Sequence, residues 1–258
     1  MSDKTIIRFD ELTRTRLREL APHATVVVPL GSTEQHGPHL PVSTDLMIVT
    51  EVATRAVAAA SQEIPVLLLP TQPFGFAHHH LPFGGTISVD QETYSRVLTG
   101  IGQSLARDGF SRIVFLNGHG GNVSSMQQAV DRLAYECDLE VHVGGTSYWS
   151  CAGEQLKAFD LDLGPVPGHA GNFETSCMLA LRPDLVRSDA IPAPEKSVQP
   201  LAEIDLPGGS VRNPGVWQDS DGRTDDSAKA NAELGHRALD LIAAEVAAFL
   251  IDFHMRTV

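Results

Sequence analysis

Three short runs of this chain are apolar on consecutive residues: TVVVPL (25–30), PVLLLP (65–70) and RIVFLN (112–117). Successive side chains of a strand point to opposite faces of its sheet, so a strand with one wet face alternates apolar and polar residues. A strand that does not alternate has to be covered on both faces, as in a parallel sheet between two layers of helices. The intervening segments supply the helices. Residues 46–60 put Leu46, Val49, Ala53, Ala56 and Ala60 on one helical face. Residues 91–109 do the same with Tyr94, Leu98, Ile101 and Leu105, and 123–137 with Val123, Met126, Val130, Leu133 and Cys137. A fourth strand is read at 140–148 and a further helix at 173–182, stopped by Pro183. A long helix over about 227–254 turns Leu239, Ile242, Val246, Phe249 and Phe253 inward. Alternating strands and helices predict an α/β fold: a three-layer α/β/α single domain over 1–258 with a mostly parallel central sheet. The stretch 183–225 is rich in Pro, Gly, Ser and Asp and reads as loop with one short strand.

In open parallel sheets, sites form at the carboxyl ends of the strands. The polar clusters obey this rule. GSTEQHGPHLPVSTD (31–45) follows the first strand, QPFGFAHHHLPFGGT (72–86) the second and NGHGGN (117–122) the third, while PGHAGNFET (167–175) follows the fourth and leads into a helix. Seven of the eleven histidines lie in these loops: His36, His39, His78, His79, His80, His119 and His169. Alternate residues of an extended loop point the same way, so Glu34 and His36 can face one centre. Asp45 opens a helix, where a carboxylate ordinarily caps backbone N–H groups. If Thr44 caps instead, Asp45 is free to bridge two cations with its two oxygens. Glu174 also sits where the helix dipole favours an acid, and His169 reads alternatively as a hydrogen-bonded loop histidine. His119 projects from a glycine turn. That turn nearly matches the G-x-G-x-x-G of dinucleotide sites, but Val123 stands at the third glycine. Adjacent side chains diverge, so one or two of His78–His80 can reach a substrate while the rest are solvated. Trp149 is either core or a pocket wall.

Net charge is −13, from 19 basic and 32 acidic residues, which disfavours nucleic acid and anionic membrane as partners. Cys137, Cys151 and Cys177 are odd in number, far apart and without C-x-x-C, which argues against a disulfide framework or a thiolate zinc site. No signal-peptide pattern opens the chain. The apolar stretch LIAAEVAAFLI (241–251) is broken by Glu245 and too short to span a bilayer, so a cytoplasmic location is expected. The signatures of serine hydrolases, P-loop enzymes and zincins are absent.

PLGSTEQHGPHLPVSTD, FGGTIS, NGHGGN and HAGNFETSCMLAL, in that order, resemble the creatininase family of metal-dependent amidohydrolases over roughly residues 25–190. The resemblance implies an α/β fold, a centre of two divalent metal ions (Zn, Mn or Fe), a small-molecule substrate and a homo-oligomer, often a hexamer. Glu34, His36, Asp45 and His119 match the family's ligands, with Asp45 as the bridge, and His169 matches its proton-shuttling histidine. Gly121 stands where creatinine-cleaving members carry a ligand glutamate, and Gly120 where they carry a substrate-contacting tyrosine. Pro165 and Val166 replace their Trp-Asp pair. Glu174 is the candidate for the missing ligand, and with His169 the candidate catalytic pair. His78, His80, Gly120 and Trp149 are the candidate substrate contacts. The expected activity is hydrolysis of an amide-type C–N bond by a hydroxide activated at the two ions, with His169 handing a proton to the leaving nitrogen. Members with the GGN form include deformylase-like enzymes of flavin and deazaflavin precursor synthesis and the peptidase that trims the mycofactocin precursor. The alternatives are therefore a peptidase of that type, or a ring-opening hydrolase on the same metal site. A third is a non-enzymatic nucleotide or metabolite binder built on the glycine turn.

Overall fold

Four parallel strands form the central sheet: β1 (Thr25–Leu30), β2 (Val66–Leu68), β3 (Arg112–Asn117) and β4 (His142–Ser147), in the order β2-β1-β3-β4. The structure, a computed structural model, describes residues 8–158, 161–192 and 215–258, and the backbone of 205–206 and 209–210. Its helices are α1 (Arg14–Leu20), α2 (Thr44–Ala60), α3 (Gln91–Arg107), α4 (Val123–Tyr135), α5 (Tyr148–Cys151), α6 (Gly153–Ala158), α7 (Asn172–Leu181), α8 (Val216–Asp219) and α9 (Ala232–Arg256). Among the described residues no helix is long and apolar enough to cross a membrane.

The unbroken apolar runs are explained by two cores, one on each face of the sheet. Val26, Val28 and Leu30 of β1 and Ile113 and Phe115 of β3 pack with Leu98, Leu105, Met126 and Leu133 of α3 and α4. Val27, Val114 and Leu116 point the other way, onto Val49, Val52, Cys177, Leu239 and Val246 of α2, α7 and α9. Pro29 is tolerated in a central strand because β2 pairs with β1 only as far as Val27. Its missing N–H faces the place where that ladder has ended, and its carbonyl still accepts from the Gln72 N–H at 2.9 Å.

Several sequence readings shift. The terminal helix starts at Ala232 rather than near 227, because the Asn231 side chain caps it, accepting from the Leu234 N–H at 3.0 Å. Val123 is exposed, and α4 ends at Tyr135, before Cys137; its inward stripe is Met126, Ala129 and Leu133. The short helices α1, α5 and α6 were not anticipated. The 183–225 stretch contains α8 and a two-residue antiparallel pair, β5 (Asp205–Leu206) with β6 (Gly209–Ser210). Its positions 193–204, 207–208 and 211–214 lie outside the described residues.

Helices α7 and α9 cross so closely that a Cβ at Gly235 would fall on the Ser176 carbonyl oxygen. In an open helix interior, Gly→Ala would gain about 0.8–1.0 kcal/mol. Here the methyl meets backbone, so Gly235→Ala is expected to destabilise by about 1–3 kcal/mol. A denaturation midpoint that rises would refute the close crossing.

Candidate metal centre and its pocket

Leu30 and Asn117 end adjacent strands in register, so the loops after β1 and β3 leave the sheet side by side. The Gly118 N–H continues the ladder to the Leu30 carbonyl at 2.8 Å. The first turn of α2 then delivers Asp45. Thr44 does not cap it: its hydroxyl donates to the Pro41 carbonyl at 2.7 Å, and Ser43 makes no side-chain cap bond. Asp45 is not used as a cap and turns into the protein. Its Oδ1 lies 3.3 Å from His36 Nε2 and its Oδ2 3.0 Å from His119 Nδ1. Glu34 Oε2 lies 3.2 Å from His119 Nε2. Glu34 Oε1 is 3.3 Å from His80 Nε2 and 3.6 Å from His169 Nδ1. From α7, Glu174 Oε2 comes within 3.6 Å of His36 Nε2. The same oxygen accepts from the Ala170 N–H at 2.6 Å, and Ala170 adopts φ 50°, in the left-handed region.

Three histidines each commit one ring nitrogen to a backbone carbonyl. His36 Nδ1 meets Glu34 O at 3.0 Å, His119 Nε2 meets Phe76 O at 2.9 Å and His169 Nε2 meets Gln35 O at 2.8 Å. A carbonyl only accepts, so these nitrogens carry hydrogen, and the other nitrogen of each ring is turned toward the carboxylates. Glu34 Oε1, His36 Nε2 and Asp45 Oδ2 are buried with no hydrogen-bond partner of acceptable geometry among the described residues. Leaving such atoms bare is unfavourable unless a charge gathers them. Among the described residues, three groups have donor atoms within 4.8 Å of one another: Glu34–His36–His169, Glu34–Asp45–His119 and His36–Asp45–Glu174. Imidazole and carboxylate donors without thiolate suit Zn, Mn or Fe(II), and the residues fit such ions.

Burial opposes a charge on His36, but the Glu174 and Asp45 carboxylates overcome it and hold its pKa well above the ordinary histidine value. His119 is raised in the same way, burial being outweighed by Glu34 and Asp45. Burial would raise Asp45, yet His36 and His119 draw it below the usual carboxylate range. Burial pushes Glu174 up to about 7, against the pull of His36. Without a cation, then, the cluster retains protons in its place. His169 and His80 go the other way: burial, then neighbouring histidines, lowers both. His79 is lowered to about 4 by burial and then by His119. These three rings are neutral.

A pocket of about 510 Å³ opens over the cluster, with Asp45, His119, His169 and Glu174 among its lining residues. Of the candidate substrate contacts, Gly120 is in its wall, while His78 and Trp149 are not. His78 is exposed, its Nδ1 2.6 Å from Ser88 Oγ and its ring stacked on Phe76 at 5.0 Å. Trp149 packs edge-on against Tyr148, centroids 5.0 Å apart, at the margin of the α2–α9 core. His80 is buried behind the pocket, stacked on His169 at 4.2 Å. The cause is the 3-10 turn His78–Phe83, which aims successive side chains about a third of a turn apart. It brings His79 to the pocket, where it meets Trp217 of α8 at 5.2 Å. The HHH run had signalled His79 without singling it out; Trp217 carried no sequence signal.

The glycine turn serves packing. A Cβ at Gly118 would come 2.5 Å from that of Val49. One at Gly121 would strike the Phe76 carbonyl and lie 2.5 Å from His119 Nε2, so no side chain fits there. These contacts account for the near match to a dinucleotide motif.

A family model described as creatininase, creatinine amidohydrolase, matches residues 10–250. The mycofactocin precursor peptide peptidase of Mycobacterium ulcerans is 39% identical over 197 residues, 74% of this chain and 70% of that protein. The creatinine amidohydrolase of Pseudomonas putida is 29% identical over 245 residues, 89% of this chain and 90% of that one. A solved mutant creatininase of Zn-Zn type aligns with TM-score 0.79 and 25% identity over 96% of this chain and 98% of its own. On the match of the family model and the shared fold, this chain belongs to the creatininase family of hydrolases.

Proposed function

We propose that this chain hydrolyses an amide-type C–N bond of a small molecule, with two divalent cations held by Glu34, His36, Asp45, His119 and Glu174. The observation that carries this reading is one buried carboxylate, Asp45, shared between two separate donor groups. Bound there, the cations would lower the pKa of water and polarise the substrate carbonyl. His169 is pinned through Nε2 to Gln35 O, which leaves a neutral Nδ1 facing the cluster. It takes the proton released as water oxygen bonds to the carbonyl carbon. It returns that proton to the nitrogen as the C–N bond breaks, because an amide anion leaves poorly. The backbone of Gly120 and Gly121 in the pocket wall offers N–H groups to the oxyanion; the Gly118 N–H is already engaged by the Leu30 carbonyl.

A second reading makes the bond a peptide bond. It is favoured by the identity to the peptidase, 39% against 29% for the creatinine enzyme. It is also favoured by Gly120, beside which a Cβ would find nothing within 4 Å, leaving room for a longer substrate. A panel of cyclic amides, formamides and short peptides decides between the two. Turnover of none, with metal present, refutes both. A nucleotide binder would instead keep its nucleotide affinity in Glu34→Ala and His119→Ala. We also propose a homo-oligomer, supported by the exposed Val42, Phe74, Leu81 and Ile87 on the segments that follow β1 and β2, with sedimentation as its test.

Chelation is expected to abolish activity, and zinc or manganese to restore it. Metal uptake is also expected to release protons. His36 and His119 lie above their ordinary value and Glu174 near 7, and a cation displaces the protons they hold. Affinity therefore falls as pH drops, first through the raised His36 and His119 values and then through about 7, where Glu174 takes up its proton. Zinc calorimetry in buffers of different ionisation heat reads this directly. Uptake without proton release would contradict the coupled cluster.

A further inference from the structure

We infer that Gln35 is a positioning residue whose side-chain amide fixes the tautomer of His80, and through it the placement of Glu34. Its bearing on metal binding rests on the cation site proposed above; the tautomer itself does not.

The orientation of the amide is set by the Gly37 N–H, which donates to Gln35 Oε1 at 2.8 Å. The opposite atom, Nε2, has two hydrogens and three neighbours: His80 Nδ1 at 2.9 Å, Gly222 O at 3.0 Å and His169 Nε2 at 3.0 Å. His169 Nε2 cannot accept, because it already donates to the Gln35 backbone carbonyl at 2.8 Å. The two amide hydrogens are therefore assigned to Gly222 O and His80 Nδ1. His80 Nδ1 is then an acceptor, and the ring hydrogen sits on Nε2, 3.3 Å from Glu34 Oε1, a close electrostatic contact and not an aligned hydrogen bond. In the other tautomer an imidazole lone pair would face a buried carboxylate oxygen and drive the two apart. His80 is 1% exposed and stacked on His169 at 4.2 Å, so a ring flip offers no easy escape.

The same amide reaches the pocket wall. Gly222 donates its N–H to the Trp217 carbonyl at 2.8 Å while its own carbonyl accepts from Gln35. A Cβ at Gly222 would approach Gln35 Nε2 to 2.7 Å, on a backbone with φ +66°. One side chain thus joins the segment bearing Trp217 to the residue behind Glu34.

The test uses full-length Gln35→Glu, Gln35→Met and Gly222→Ala. Imidazole nitrogen NMR reports the His80 tautomer in metal-free and zinc-loaded protein, and competition with a chromophoric chelator reports zinc affinity. The wild type is expected to hold hydrogen on His80 Nε2. A carboxylate can only accept, so Gln35→Glu should place a hydrogen on Nδ1, which the wild type lacks; Gln35→Met should give a mixture. Both should weaken zinc by about 10- to 100-fold without changing stoichiometry, as loss of a partner behind a ligand does. Gly222→Ala displaces the amide from outside and should weaken zinc in the same direction. If Gln35→Met fails to fold, the other two variants decide. A lowered melting temperature with the His80 tautomer and zinc affinity unchanged would overturn the inference. Wild type that takes up no zinc would instead defeat the cation site, while the tautomer readout would still decide the role of Gln35.

Discussion

Asp45→Asn is expected to empty the centre of metal and to slow turnover by at least about 10³-fold, about 4 kcal/mol of transition-state stabilisation. The magnitude follows from position. Asp45 serves both the Glu34–Asp45–His119 group and the His36–Asp45–Glu174 group, and its two oxygens face different histidines. Removing its charge takes a donor from both at once. An acid acting only at the first turn of a helix would be worth about 0.3–1 kcal/mol of stability and nothing in catalysis. The two cases are far apart. Metal analysis, turnover and melting temperature on one preparation separate them, and full metal content in the variant would refute the shared role.

Glu174→Gln is expected to lower metal content from two ions per chain to one and to cost about 10²-fold or more in rate, about 2.7 kcal/mol. This substitution is informative because glutamine keeps a carbonyl oxygen that can still accept from the Ala170 N–H, so the local fold survives. Only the charge is lost. The Glu34–Asp45–His119 group is untouched and should retain its ion. If both ions remain, Glu174 is a helix-end acceptor and some other group replaces the ligand that Gly121 lacks.

Much of this was legible in the sequence for a physical reason. β1 and β3 are buried on both faces, so their apolar runs are unmistakable, and parallel topology then carries the following loops to one edge of the sheet. Glu34, His36, Asp45 and His119 come from such loops. What stayed hidden depends on local geometry that composition does not encode. His79 rather than His78 meets the pocket because residues 78–83 wind as a 3-10 turn. Trp217 comes from a stretch without periodicity, and α8 is only four residues long. Trp149 lies at the margin of the core because α5 begins right after β4 and turns Tyr148 inward, with its neighbour packed against it. The freedom of Asp45 turned on a hydroxyl choosing Pro41 over the helix end.

A residue with a Cβ loses about 1–2 kcal/mol in the left-handed region, and Ala170, fully buried, occupies it beside Glu174. Glycine would sit there at ease but would let the loop wander. With alanine the arm that carries His169 has few shapes to choose from, so an arriving ion meets a cage already set, and little of its binding energy is diverted into arranging the walls.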